Sequence, residues 1–185
     1  MHFVDEYSNK KGEVKPVKLE LRFIVSFRFI PTSLDALVRN LDTENCKNLK
    51  KFYPEESQFI LLKRKGVFPY DCVVSVDQLE EKSLPPKEEF YSNLNEEDIT
   101  DEDYEHAKTV WKKFGIKPVS EYQELYNTSD ALLLADVLAN FRDVCIKNYS
   151  LDPAWFYTAP GLAWEAMLKI TKAELDMMLI LRHGI

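Results

Sequence analysis

The spacing of apolar positions changes about halfway along the chain. Early on, Val17 to Phe29 reads VKLELRFIVSFRF, mixing alternation with β-branched and aromatic residues, and this predicts one strand or two joined strands. Pro31 ends that stretch, and Ser33 is placed to cap a helix running to about Asn40. Gln58 to Leu62 is short and apolar and is expected to be extended, with a basic turn after it from Lys63 to Gly66. Pro69, and then Ser83 to Pro86, mark an irregular connector. From there the pattern turns helical. Thr100-Asp101-Glu102-Asp103 resembles a capping box with aspartate in the usual glutamate place, predicting a helix to Phe114 with Gly115 just past its end. Ser120 to Gln123 forms a second such box. A long pattern follows from Glu121 to Asn148, with a break expected near Asn127 to Ser129. Its apolar positions Leu134, Val137, Leu138, Phe141, Val144 and Cys145 recur at helical spacing. Asp152-Pro153 and Pro160-Gly161 interrupt the chain, a helix is expected from Leu162 to Ile170, and a last one from Ala173. The pattern is that of an α+β chain with few, early strands and a helical C-terminal half, as if most of a sheet lay upstream of Met1.

Composition narrows the class. The 185 residues are 45% hydrophobic and 12% aromatic, enough for one core or one core with an appendage. No stretch approaches the roughly 18 apolar residues of a membrane helix. Met1 to Lys11 lacks the apolar segment of a signal peptide, so a soluble, intracellular chain is expected. Cys46, Cys72 and Cys145 lie too far apart for a zinc pair of two-residue spacing and read as reduced, partly buried thiols. His2, His106 and His183 are scattered and read as structural or surface residues. With 5 glycines and no glycine-rich loop, a P-loop or dinucleotide fingerprint is excluded.

The net charge of −7 argues against a protein that coats nucleic acid with its whole surface. The charge is uneven, however. Lys47, Lys50, Lys51, Lys63, Arg64 and Lys65 face only Glu55 and Glu56 across their stretch, whereas Glu96 to Glu105 carries seven carboxylates and no basic residue. An acidic chain can still hold a strand in a local basic groove. The acidic run reads as a solvated helix face.

The candidate chemistry begins at Tyr126-Asn127-Thr128-Ser129-Asp130. A tyrosine and an aspartate four residues apart on a helix share a face. A carboxylate there can bind a divalent cation while the phenol orients a water or a scissile phosphate. Alone, the pair also suits a capping aspartate and a packed tyrosine. Lys65-Gly66 with Tyr70 supplies a mobile cation and a ring able to stack on any base, or simply a basic turn with a packed tyrosine. Trp155, Tyr157 and Trp164, spaced around Pro160, fit core or inter-domain packing better than a base-stacking cluster.

Together these residues carry a resemblance. YNTSDALLLADVLANFRDVCIKNY looks like the third exonuclease motif of protein-primed B-family DNA polymerases. The run from Gly66 to Gly115 is similar to the form in Polinton/Maverick-type transposons and related linear plasmids and viruses, and LDPAWFYTAPGLAWEAMLK resembles their segment leading toward the polymerase domain. The resemblance spans about Leu19 to Lys172. It implies a partial ribonuclease H-like exonuclease fold, with 1–148 as the C-terminal part of the 3′–5′ exonuclease domain and 149–185 as a helical segment leading to the palm. It implies DNA-directed nucleotidyl transfer with proofreading, using Mg²⁺ or Mn²⁺, with deoxynucleoside triphosphates and a terminal protein as partners of the intact parent only. By position, Asp130 would help hold the metal, Tyr126 orient water, Lys65 steady the scissile phosphate and Tyr70 grip a single-stranded primer 3′ end. Ser26-Phe27 matches the strand-end pair that contacts DNA, although Val25 stands where relatives commonly carry aspartate. The first two exonuclease motifs are expected upstream of Met1 and the palm beyond Ile185, so the chain alone is expected to be inactive. The alternative is a catalytically inert helical DNA-binding or interaction module derived from a transposon.

Overall fold

In the computed structural model of the chain, residues 4–8, 14–18, 23–94 and 96–173 are described. A 31-residue helix, α6 (Val119–Tyr149), contributes to all three clusters of buried side chains. Its first turns supply Val119, Tyr122 and Tyr126 to a cluster with Phe68, Ala107, Val110 and Ile116. Its middle supplies Leu133 and Val137 to a second, with Val38, Leu41, Cys46, Leu49, Phe59 and Leu62. Its last turns place Cys145 against Phe29 and Leu162.

The remaining helices pack around this spine. They are α1 (Leu34–Arg39), α2 (Lys47–Phe52), α3 (Glu56–Leu62), α4 (Val76–Leu79), α5 (Asp101–Lys113) and α7 (Ala159–Thr171). Short 3₁₀ turns occur at Ser26–Arg28, Thr43–Asn45, Lys87–Phe90 and Pro153–Trp155. The strands among the described residues are β1 (Val4–Ser8) and β2 (Val14–Lys18), one antiparallel hairpin with Asp5 opposite Val17.

Several local signals act as the sequence predicts. Ser33 accepts from the Ala36 N–H at 3.3 Å to start α1. Thr100 accepts from the Asp103 N–H at 3.1 Å to start α5, and Gly115 follows that helix at φ +63°, where a side chain would be strained. Cys46 and Cys145 are buried thiols, Cys72 is half-buried, and none is bonded to another.

The fold class does not hold. The body is helical, and an α+β, ribonuclease H-like fold is not what the described residues form. Of the strand expected over Val17 to Phe29, Val17-Lys18 forms the end of β2 among the described residues. Phe23 to Val25 is irregular and Ser26–Arg28 is a 3₁₀ turn. No described strand lies beside that stretch to receive its backbone hydrogen bonds. Phe29 instead turns in against Phe141, with ring centroids 6.2 Å apart. Phe23, at 93% exposure, and Phe27, at 62%, remain outside.

Gln58 to Leu62 is helical rather than extended. Phe59 and Leu62, three residues apart, both enter the α6 core, and tertiary packing decides a run too short to show its own period. The break near Asn127 is also absent. Ser129, buried within α6, donates its hydroxyl to the Tyr126 carbonyl at 3.0 Å, so its polar group is satisfied without leaving the helix. The cap expected at Ser120 lies one residue inside α6, which starts at Val119, while the Glu121 carboxylate accepts from the Lys117 N–H at 3.1 Å. Trp155, Tyr157 and Trp164 are exposed at 55% or more, and in α7 it is Leu162 and Ala166 that turn inward rather than Trp164. The helix expected from Ala173 lies outside the described residues apart from Ala173 itself.

The N-terminus of α2 has no cap of its own. Asp136 of α6, fully buried, supplies one. Its Oδ1 accepts from the Asn48 N–H at 2.8 Å and the Asn48 amide at 2.9 Å, and its Oδ2 from the Leu49 N–H at 3.0 Å. Asp136→Ala strands these buried donors and is expected to cost about 3 kcal/mol in urea-induced unfolding, with Asp136→Asn recovering part of it. Unchanged stability in the alanine variant would show that α2 does not need this cap.

Candidate functional site

Two segments meet where the sequence places its chemistry. Past α3 the chain runs Lys65-Gly66-Val67-Phe68-Pro69-Tyr70 across the first half of α6. It is tied there by the Tyr122 phenol, which donates to the Val67 carbonyl at 2.8 Å. Phe68 packs between the rings of Tyr122 and Tyr126, with centroids at 6.0 and 5.6 Å and the rings close to parallel. Gly66 is required by this approach. A Cβ at its position would come within 2.8 Å of Tyr126 Cδ2, closer than packed carbons stand.

Tyr126 and Asp130 lie one turn apart on α6. The Tyr70 hydroxyl donates to the Tyr126 hydroxyl at 2.7 Å, and the two rings meet edge to face at 5.8 Å. With that bond accepted, the Tyr126 proton is left to point toward Asp130. Burial raises the Tyr126 pKa, with the Tyr70 hydrogen bond and the Asp130 charge adding to it, so the phenol stays protonated.

Burial also lifts the Asp130 carboxyl above the ordinary aspartate range, against the opposing pull of the Tyr126 phenol, the Gly66 N–H and Lys65. Its Oδ1 is buried and closes no normal hydrogen bond. An orphaned carboxylate oxygen facing a neutral phenol has the chemistry of a single cation ligand. Among the described residues, however, no group of three His, Cys, Asp or Glu side chains is gathered to hold a metal. One carboxylate falls short of the set that two-metal hydrolysis requires, so no reaction step follows from it.

Lys65, Tyr70 and Tyr126 line one open cleft. Glu97, Asp98 and Asp103 line it too, and Asp103 is ion-paired with Arg64. The run from Glu96 to Glu105 is therefore only partly a solvated helix face. Helix begins at Asp101, and Glu97 and Asp98 precede it at the cleft. The signal in the sequence was their position just ahead of the Thr100 cap.

Ser26 and Phe27 are not brought to this cleft. Their 3₁₀ turn is anchored by Phe29 on Phe141, which lies 15 residues beyond Tyr126 on α6, roughly 22 Å along the axis. His106 sits half-buried on α5, its pKa lowered first by burial and then by Arg64. His2 and His183 lie outside the described residues.

Two outcomes test the geometry. Gly66→Ala must push the Tyr126 ring off the loop and is expected to cost about 1–3 kcal/mol of stability, read by denaturant unfolding. A neutral effect would mean that the loop and α6 are not in contact. For Asp130, whose folded pKa is raised, ionisation opposes folding. Stability is unaffected while the group is protonated in both states and falls as pH rises through the folded value. Asp130→Asn is therefore expected to be more thermostable than the natural chain at neutral pH, with the gap closing at about pH 4 and below. A gap that widens on acidification contradicts the burial.

Compared with models of known protein families, with curated proteins and with solved structures, the chain matches none.

Proposed function

We propose that the chain is a segment of a protein-primed B-family DNA polymerase, and that its cleft holds the 3′ end of single-stranded DNA for proofreading. The observation that carries this is the convergence of Lys65-Gly66, Tyr70 and Tyr126, from segments about 60 residues apart, around one cleft, with Asp130 beside Tyr126, Gly66 and Lys65. The motif reading needs that meeting, and nothing in composition or helical periodicity requires it.

The side chains divide the work by chemistry. Tyr70, 64% exposed, offers a ring on which a frayed base stacks whatever its identity. Lys65 supplies a point charge to a phosphate oxygen. Tyr126, held protonated by its surroundings, can orient a water beside the Asp130 carboxylate. In the intact parent, Mg²⁺ or Mn²⁺ would stabilise the attacking and leaving oxygens, and Asp130 is the described residue suited to contribute a ligand. The nucleotidyl transfer of the parent, with its deoxynucleoside triphosphates and terminal protein, calls for residues beyond this chain.

The second reading, an inert helical module that binds single-stranded nucleic acid, is favoured by the lone carboxylate. Both readings share a prediction. The chain is expected to bind an end-labelled oligothymidylate weakly and with strong salt dependence, and Tyr70→Ala is expected to lose about 1–3 kcal/mol of that affinity, the worth of one stacked base. Incubation with Mg²⁺ is expected to leave the oligonucleotide uncut. Cleavage abolished by Asp130→Ala would reveal a complete nuclease and end the inert reading. Binding indifferent to Tyr70 would end the proposal that this cleft holds the strand.

A further inference from the structure

Charges of both signs line the cleft, and a line of lysines leads away from it. Glu97 and Asp98 line it and repel phosphates, while Asp103, which also lines it, is ion-paired with Arg64. Lys65 lines the same cleft and is followed back along the chain by Arg64 and Lys63. Lys63 shares a surface hollow with Arg39 of α1 and with Arg64, whose charges are taken up by Asp35 and by Glu102 and Asp103, so that among the described residues Lys63 is the cation there without an ion pair. The Lys63 ammonium donates to Thr43 Oγ1 at 2.6 Å. Thr43 in turn lines the next hollow, whose charged residues are Lys47, Lys50 and Lys51 of α2 against Glu44. The three hollows thus form a chain, linked by Arg64–Lys65 adjacency at one end and by the Lys63–Thr43 contact at the other.

The buried cap on α2 enforces the last part of this strip. Lys47, Lys50 and Lys51 stand at i, i+3 and i+4 and share a face. Because Leu49 between them is buried against α6, that face points outward. Its ion pairs are loose. Lys47 stands 4.0 Å from Asp143 and Lys50 3.7 Å from Glu56, with all four side chains more than half exposed. Lys51, Lys63 and Lys65 have no carboxylate within ion-pair distance among the described residues. Exposed pairs of this kind are worth little, so a phosphate can replace the carboxylate at small cost. In a chain of net charge −7, a strip with three lysines free of ion pairs is matched to a polyanion.

We infer that the surface from Lys65 through Lys63 to Lys47, Lys50 and Lys51 is a track for the phosphate backbone of single-stranded DNA leaving the Tyr70 cleft. The inference rests on the single-strand reading of that cleft and gives it a direction. The bound strand runs over α2, away from Glu97 and Asp98, and an isolated 3′ end reaches only Lys65 and Tyr70.

The test compares oligothymidylates of about four and about sixteen nucleotides, the range one single-strand site spans, by fluorescence anisotropy. The proteins are the natural chain, the triple variant Lys47→Gln, Lys50→Gln, Lys51→Gln, and a control with the same charge loss elsewhere, Lys112→Gln, Lys117→Gln, Lys172→Gln. The three track lysines are solvent-exposed, and circular dichroism checks that folding is kept. The track variant is expected to bind the long oligonucleotide about tenfold or more weakly at low salt, with the slope of log affinity against log salt flatter by about 2, three phosphate contacts being lost. The short one is expected to bind as before, and the control to bind both normally. Unchanged affinity for the long oligonucleotide overturns the track, as does an equal loss in the control, which would show a net-charge effect only. If Tyr70→Ala has no effect on the short oligonucleotide while the α2 lysines govern the long one, the cleft reading fails and the basic surface alone binds.

Discussion

Asp136 links two halves of the molecule that sequence separates by nearly ninety residues. Its carboxylate, removed from water, satisfies two backbone N–H groups and one side-chain amide at the start of α2. A six-residue helix has little stability of its own and cannot leave its first donors bare inside a core. The charge-assisted bonds therefore set the rotation of α2 against α6. That rotation sends Leu49 inward to Phe59 and Leu133, and turns three lysines to the surface. The core and the charge pattern of that face are consequences of one buried acid.

The same helix organises the cleft, by a different means. Near its start α6 presents Tyr122 and Tyr126 as a flat aromatic surface. The Lys65–Tyr70 segment lies on it through Phe68, the Tyr122–Val67 hydrogen bond and the absence of a side chain at Gly66. Close approach of loop to helix puts Asp130 under enough apolar cover to raise its pKa, and leaves one of its oxygens unpaired. Asp136 and Asp130 show the two conditions of a buried carboxylate six residues apart. The first is saturated with donors and serves the fold. The second is under-satisfied, a cost that a folded chain tolerates where a site needs a ligand or a charge.

What was legible beforehand was whatever short-range chemistry decides. The Ser33 and Thr100 caps, the glycine ending α5 and the shared face of Tyr126 and Asp130 depend on residues within a turn of one another, and they stand as read. Strand assignments fared otherwise. Val17 to Phe29 and Gln58 to Leu62 have compositions that suit a strand, but a strand exists only with a neighbour to accept its hydrogen bonds, and the described structure places α6 there instead. With those strands went the α+β fold.

The sequence by itself determined the Ser33 and Thr100 caps, the end of α5 and the shared face of Tyr126 and Asp130, because helix caps and i, i+4 faces are set by bonds that reach only a few residues. Tertiary structure alone decided which aspartate is sealed under backbone donors and which is left unpaired. It also decided that Glu97 and Asp98 line the same cleft as Lys65, that Ser26 and Phe27 lie four turns of helix away, and that the α2 lysines continue the line from Lys63. Those outcomes depend on burial and on contacts between distant segments, and neither is encoded in spacing along the chain.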